Sequence, residues 1–187
     1  MNAKLRRVSI CNTLDSLLVH RNVAEKFLKA LVVALPKNPY NATKLTIKAD
    51  LESFNILRKT PKPKEFSLTV VKAKPADFHE EFLDYCLAVK VVDSLDQALE
   101  HISRHSLKHS EAIVTESANV AQRFLNSVDA ACVYWNTSTQ FSDGAQFGMG
   151  SEIGVSTQKL HVRGPFALEG LTSYKWVVEG TGQIRNP

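Results

Sequence analysis

Cys11 is the residue of this sequence best suited to covalent chemistry. A thiolate is a strong nucleophile, and its ordinary pKa of about 8.5 falls beside cations or a helix N-terminus. Arg6 and Arg7 come shortly before Cys11, Asn12 and Thr13 follow it, and the apolar run Leu17-Leu18-Val19 lies just beyond. The other reading, an ordinary buried cysteine, is the commoner one for such a residue and stays open on the residues alone. Cys86 and Cys132 lie inside the apolar runs Tyr85-Cys86-Leu87-Ala88-Val89 and Ala131-Cys132-Val133-Tyr134, and read as small core residues. Three cysteines so far apart form neither a CxxC metal pattern nor a disulfide framework.

Three further groups invite chemistry. Asn136-Thr137-Ser138-Thr139-Gln140 follows a strand-like run and offers several hydrogen-bonding side chains, for a ligand or for capping a loop. Gly148-Met149-Gly150-Ser151-Glu152-Ile153-Gly154 suggests a dinucleotide fingerprint but fails on spacing, because position 153 is Ile, and no strand directly precedes it. A tight loop is the better reading. His101, His105 and His109 recur every fourth residue, yet no acidic or cysteine ligand completes a metal set at a telling spacing. Glu80 and Glu81 are adjacent, so they read as a surface pair. No GxSxG elbow, HExxH or P-loop is present.

The elements that must position these residues follow from periodicity. Ser16–His20 reads as a short buried strand, and Asn22 can cap a helix over 23–35 with Val23, Phe27, Leu31 and Leu35 on one face. Pro36 and Pro39 stop it. Residues 36–64 are the least legible, with a weak strand signal at Leu45-Thr46-Ile47; Phe66–Val71 is a better strand. Leu87–Val92 is a strand, and Ser94-Leu95-Asp96-Gln97 a capping box opening a helix with Leu95, Ala98, Leu99 and Ile102 on one face. Ala112–Thr115 is a strand. Ser117 caps a helix burying Val120, Ala121, Phe124, Leu125 and Val128, and Ala131–Trp135 is a strand again. Residues 137–165 are rich in Gly, Ser and Thr, and 171–178 read as a last strand-like run.

Alternating strands and helices with apolar strands predict an α/β fold, a mainly parallel sheet with helices on both faces. Such sheets bind ligands beyond the C-terminal ends of their strands, which directs attention to His20, Asp93, Thr115-Glu116 and Asn136. Residues 1–136 are expected to form a catalytic α/β domain, variable over 36–75. Residues 137–187 are expected to form a loop and a C-terminal strand segment that returns toward a cofactor domain or an oligomer partner.

Composition narrows the class. The chain has 187 residues, 44% hydrophobic and 22% charged, with a net charge of +4, which suits an ordinary folded core. No apolar run reaches the length of a membrane span, and no h-region follows the basic N-terminus, so a cytoplasmic protein is expected. Lys59, Lys62 and Lys64 share their stretch with Pro61 and Pro63, which suggests an exposed loop more than a nucleic-acid groove.

At Cys11 the sequence resembles the glutamyl phosphate reductases, of the aldehyde dehydrogenase superfamily. The likeness runs through Asn2-Ala3-Lys4 and Cys11–His20, then Glu81–Asp84 through Asp93, His109–Glu116, Asn136–Gly144, and Phe147–Gly154 through His161–Pro165 to Tyr174-Lys175. It covers nearly the whole chain, weakly over 36–75. The resemblance implies an aldehyde dehydrogenase-like catalytic domain and an NADPH-dependent reduction of glutamyl 5-phosphate to glutamate 5-semialdehyde in proline biosynthesis. It implies Cys11 as the nucleophile that forms a thioester, and Glu81 as the carboxylate on the cofactor's ribose. Asn136, Ser138, Thr139 and Gln140 fall in a segment it places near the substrate. From the residue patterns above, no metal, no nucleic acid and no membrane is expected. Most of the NADPH pocket is expected in an N-terminal half that precedes this chain, and association with that half or a homo-oligomer is expected. The alternative is an incomplete homologue that acts as an interaction partner of a full-length enzyme. The family usually has Arg where this chain has Gln140, a Pro where it has Val8-Ser9-Ile10, and Ala at Thr13, Ser151 and Val162. If that arginine meets the substrate's charges, Gln140 removes a charge-assisted bond.

Overall fold

A computed structural model describes all 187 residues. The chain starts with a single helical turn, α1 (Asn2–Leu5), and a loop that carries Cys11. Then β1 (Ser16–His20), α2 (Arg21–Ala34), β2 (Lys44–Ala49), α3 (Leu51–Lys59), β3 (Ser67–Lys72), β4 (Cys86–Val92) and α4 (Leu95–His105) build the main layer. The four strands form one parallel sheet in the order β1-β4-β2-β3. β4 is central and almost continuously apolar, as a strand covered on both faces must be.

One face of the sheet presents Val19, Leu45, Ile47, Ala49, Leu87, Val89 and Val91. Against it pack Ala24, Leu28, Val32 and Leu35 of the α2 segment and Leu57 of α3. The opposite face is more polar. Lys48 reaches Asp77 at 2.7 Å, and Lys90 lies 3.2 Å from Nδ1 of His101 on α4, so α4 and the 3-10 turn Pro75–His79 cover this side. Helices thus lie on both faces of a mainly parallel sheet, as the alternation of elements predicts.

β5 (Ser110–Ile113), α5 (Ala118–Ser127) and β6 (Cys132–Trp135) follow. β5 and β6 pair in parallel as a separate two-stranded sheet. A small antiparallel pair, β7 (Gly154–Ser156) with β8 (Gly164–Phe166), and one helical turn, α6 (Leu168–Leu171), complete the regular structure.

Several expectations change. The buried stripe of α2 is Ala24, Leu28, Val32, not Val23, Phe27, Leu31; Val23 and Phe27 are exposed. The helix starts directly from β1, with the His20 ring accepting from the Asn22 N–H, and that tight joint sets its rotation. The poorly legible segment 36–64 holds a strand beside the central one and a helix capped by Asp50, whose carboxylate accepts from Ser53 N–H at 2.8 Å. β5 begins two residues earlier than predicted, and Val114 is exposed. The run 171–178 forms no strand; beyond α6 the chain is irregular, and Tyr174, Trp176, Val177 and Val178 are exposed. A strand needs a neighbour for its N–H and C=O groups, and within this chain the run has none.

Candidate functional site

Cys11 sits at the tip of the loop between α1 and β1 and is exposed. Short bonds shape that loop. Thr13 donates its hydroxyl to the Arg7 carbonyl at 2.6 Å, Thr13 N–H meets Ile10 C=O at 3.1 Å, and Leu14 N–H meets Ala3 C=O at 2.8 Å. Beneath it, Lys4 is 3% exposed and pairs with Asp15 at 3.0 Å, with the Phe82 ring 5.9 Å from its ammonium. The loop therefore stands on a buried ion pair and on Leu5, which is part of the core.

A second segment clamps the loop from the far end of the sequence. The 3-10 turn Thr139–Phe141 follows β6, and Thr139 donates its hydroxyl to the Asn12 carbonyl at 2.7 Å. The Asn12 amide donates to the carbonyls of Ser142 at 3.1 Å and Gln140 at 3.4 Å. Ser138 donates to the side-chain oxygen of Asn2 at 2.6 Å and caps the turn by accepting from Gln140 N–H. The buried Gln140 side chain donates to the Ala3 carbonyl and accepts from Arg6 Nε, each at 3.4 Å. Ser138, Thr139 and Gln140 are thus gathered at the Cys11 loop. Asn136 is not: at φ 55 it turns its amide to Thr115, exchanging two hydrogen bonds of 2.9 Å across the ends of β5 and β6.

Burial pushes the Cys11 thiol up from its ordinary pKa, and the carboxylates of Glu152 and Glu81 push it further. Its own backbone N–H and that of Asn12 pull the other way, because nearby N–H groups favour the thiolate. Cations from Arg6 and Arg7 were the expected activators. The charges that act on the thiol are instead acidic, and the amides are the stabilising groups. Glu81 is exposed, and its negative charge adds a small upward push on the Cys11 thiol. Glu152 comes from the glycine segment. Its carboxylate accepts from Gly144 N–H at 2.8 Å, and a Cβ on Gly144 would stand 2.5 Å from the Ser151 carbonyl, so that turn requires glycine. Gly148 and Gly150, at φ 77 and 74, complete a tight loop.

Asn12, Ser142 and Glu152 escaped the sequence reading. Asn12 and Ser142 act through the backbone or from burial, which leaves no pattern in the sequence; Glu152 was visible only as a non-glycine inside a failed fingerprint. His101 and His105 stack at 4.3 Å between centroids, and His79 lies 4.3 Å from His105. Stacked rings do not converge their nitrogens on a common point, and no group of three His, Cys, Asp or Glu side chains is arranged to hold a metal. Burial and the charge on Lys90 press His101 down to about 4.

The site also departs from the rule that led to His20, Asp93, Thr115-Glu116 and Asn136. Cys11 precedes β1, and Glu81 precedes β4, its parallel neighbour, so both lie at the amino edge of the main sheet. At the carboxyl edge Arg21 pairs with Asp93 and Glu52, and a groove of about 680 Å³ is lined by Glu25, Lys29, Asp50, Leu51, Glu52, Asn55, Ile56 and Lys59. None of the residues that line the groove is one of the candidates.

No family model matches the chain. It is 48% identical over 185 residues to the gamma-glutamyl phosphate reductase of Legionella pneumophila, which covers 99% of this chain and 42% of that relative. It is 50% identical over 186 residues to the enzyme of the same name from Opitutus terrae, 100% of this chain and 41% of the relative. The crystal structure of gamma-glutamyl phosphate reductase from Thermotoga maritima superposes with a TM-score of 0.84 at 41% identity, over 99% of this chain and 41% of that one. Proline Utilization A from Bradyrhizobium japonicum, at 17% identity and a TM-score of 0.53, shares the fold over 78% of this chain and 18% of its own. The chain spans about two fifths of the length of the curated relatives it matches. Along its whole length it is a close relative of one part of the gamma-glutamyl phosphate reductases, and it has the fold of that part.

Proposed function

We propose that this chain is the cysteine-bearing part of an NADPH-dependent glutamyl 5-phosphate reductase of proline biosynthesis, working in the cytoplasm. The observation that carries the reading is the exposed Cys11, held on a loop clamped from both ends of the sequence. The Cys11 thiolate attacks the acyl carbon, the C–O bond to phosphate breaks, phosphate leaves, and a thioester joins the glutamyl carbon to sulfur. In this reading a backbone N–H beside Cys11 donates to the oxyanion that develops at the acyl carbon.

The residues present fit a nicotinamide cofactor at one point. Glu81 is exposed, its carboxylate accepts no hydrogen bond within the chain, and it acts on Cys11, as suits a carboxylate that receives ribose hydroxyls. The cofactor, when bound, supplies the hydride that takes the thioester to the aldehyde level. Its pyrophosphate is assigned to no residue of this chain.

The test joins this chain to the region of its relatives that it does not match, and follows NADP reduction with glutamate semialdehyde and phosphate. Activity is expected, and Cys11→Ala should abolish it. Undiminished turnover in that variant removes Cys11 from the reaction.

A second reading, an interaction partner of a full-length enzyme or of its own copies, is favoured by the exposed Leu168, Leu171, Tyr174, Trp176, Val177 and Val178. Tyr174, Trp176, Val177 and Val178 lie on an irregular segment with no strand neighbour, which suits strand addition to another chain. Light scattering of the chain alone, and mixed with an intact reductase, separates the two: a stable mixed complex without activity supports this reading.

A further inference from the structure

Ser142 is 2% exposed, and three of its bonds tie distant segments together. Its carbonyl accepts from the Asn12 amide at 3.1 Å. Its hydroxyl meets the Tyr134 hydroxyl of β6 at 2.8 Å and shares a short hydrogen bond with the Ser110 hydroxyl of β5. Ser110 in turn lies 2.7 Å from Nδ1 of His109. We propose that Ser142 is a positioning residue for Cys11, acting through Asn12, and that the line of groups Tyr134, Ser142, Ser110 and His109 holds it in place. The proposal rests on Cys11 being the nucleophile and adds what orients it.

The logic is one of mutual satisfaction. His109 Nδ1, the hydroxyls of Ser110 and Ser142, and the Tyr134 hydroxyl form one continuous line, in which each serine hydroxyl has a partner on either side and can donate once and accept once. Burial keeps His109 below its ordinary pKa and pushes Tyr134 up to about 12, so neither end of the line changes charge near neutral pH. A Ser142 fixed by its side chain presents its carbonyl at a fixed place. Asn12, gripped there and at its own carbonyl by Thr139, then holds the backbone next to Cys11 in one place. Removing the Ser142 hydroxyl strands two half-buried partners and frees that grip.

The experiment alkylates the full chain with iodoacetamide across a pH range from about 6 to 10 and reads Cys11, Cys86 and Cys132 separately by peptide mass spectrometry. Ser142→Ala should slow Cys11 labelling at neutral pH about fivefold and move its pH profile upward, with Cys86 unchanged. Ser142→Thr, which keeps a hydroxyl, should restore the rate to within about twofold of the parent. Superimposable Cys11 profiles for the parent and Ser142→Ala overturn the proposal, as does equal acceleration of all three cysteines, which marks general loosening. Amide hydrogen exchange at residues 11–14 gives an independent readout and should quicken about fivefold in Ser142→Ala. A parent Cys11 inert at every pH would defeat the nucleophile reading, while the exchange data would still show whether Ser142 orders the loop.

Discussion

At the amino edge of the main sheet, the groups that order the Cys11 loop are buried: Lys4 under Phe82, Asn12 between two carbonyls, Thr139, Gln140 and Ser142. At the carboxyl edge, where open parallel sheets commonly hold ligands, Arg21, Glu52 and Asp93 form ion pairs with about half of most side chains in water. The same strands end in both places. A buried polar group holds one geometry because leaving it unpaired is costly, whereas an exposed ion pair is replaced by water at little cost. The edge with ordered chemistry is therefore the one where polar groups are enclosed, and position along the strands is the weaker guide.

That comparison breaks first at Lys4. Lys4→Ala strands Asp15 beneath the loop and should lower unfolding free energy in urea by about 3 kcal/mol; a loss near zero would mean that the amino edge is no more committed than the other. Acid comes next. His101, held near 4 in the fold against an ordinary 6.5, binds its proton more readily when unfolded. Its stabilisation is full above about pH 6.5 and lost as pH falls toward 4, so His101→Phe should flatten the acid side of a melting-temperature profile. At the carboxyl edge, Asp50→Ala removes the cap of α3 and a bond to Val91 N–H, and should cost about 1.5 kcal/mol in urea. Thr139→Val at the amino edge should cost about 1 kcal/mol and raise amide exchange at residues 11–14. Smallest of all, Arg21→Ala should shift the urea midpoint slightly, and added salt should erase the difference.

Local signals in the sequence carried much of the fold. β1, β4 and β6 were legible as apolar runs, and Ser94 and Ser117 as caps, because each depends on neighbours within a few residues. In the second capping contact Gln97 accepts from Asp93 N–H, one residue earlier than the motif assumes. Segment 36–64 was obscure because α3 is short and its buried residues, Ser53 and Leu57, make a faint stripe. At the site, Cys11 was legible as a residue, Glu81 only through the family resemblance, and Ser138, Thr139 and Gln140 as a polar cluster of open purpose.

The sequence by itself determined which residues carry reactive groups, where most helices begin, and which family the ordered blocks resemble. Tertiary structure alone decided which face α2 buries, that β5 and β6 pair apart from the main sheet, and that Cys11 opens at the amino edge. It also decided that Asn136 caps a loop while Thr139 and Ser142 grip Asn12 from 127 and 130 residues away. Periodicity and capping are short-range and leave a mark within one or two turns of chain. A hydrogen bond between residues so far apart exists only once the sheet has brought its strands together, so no spacing in the sequence can record it.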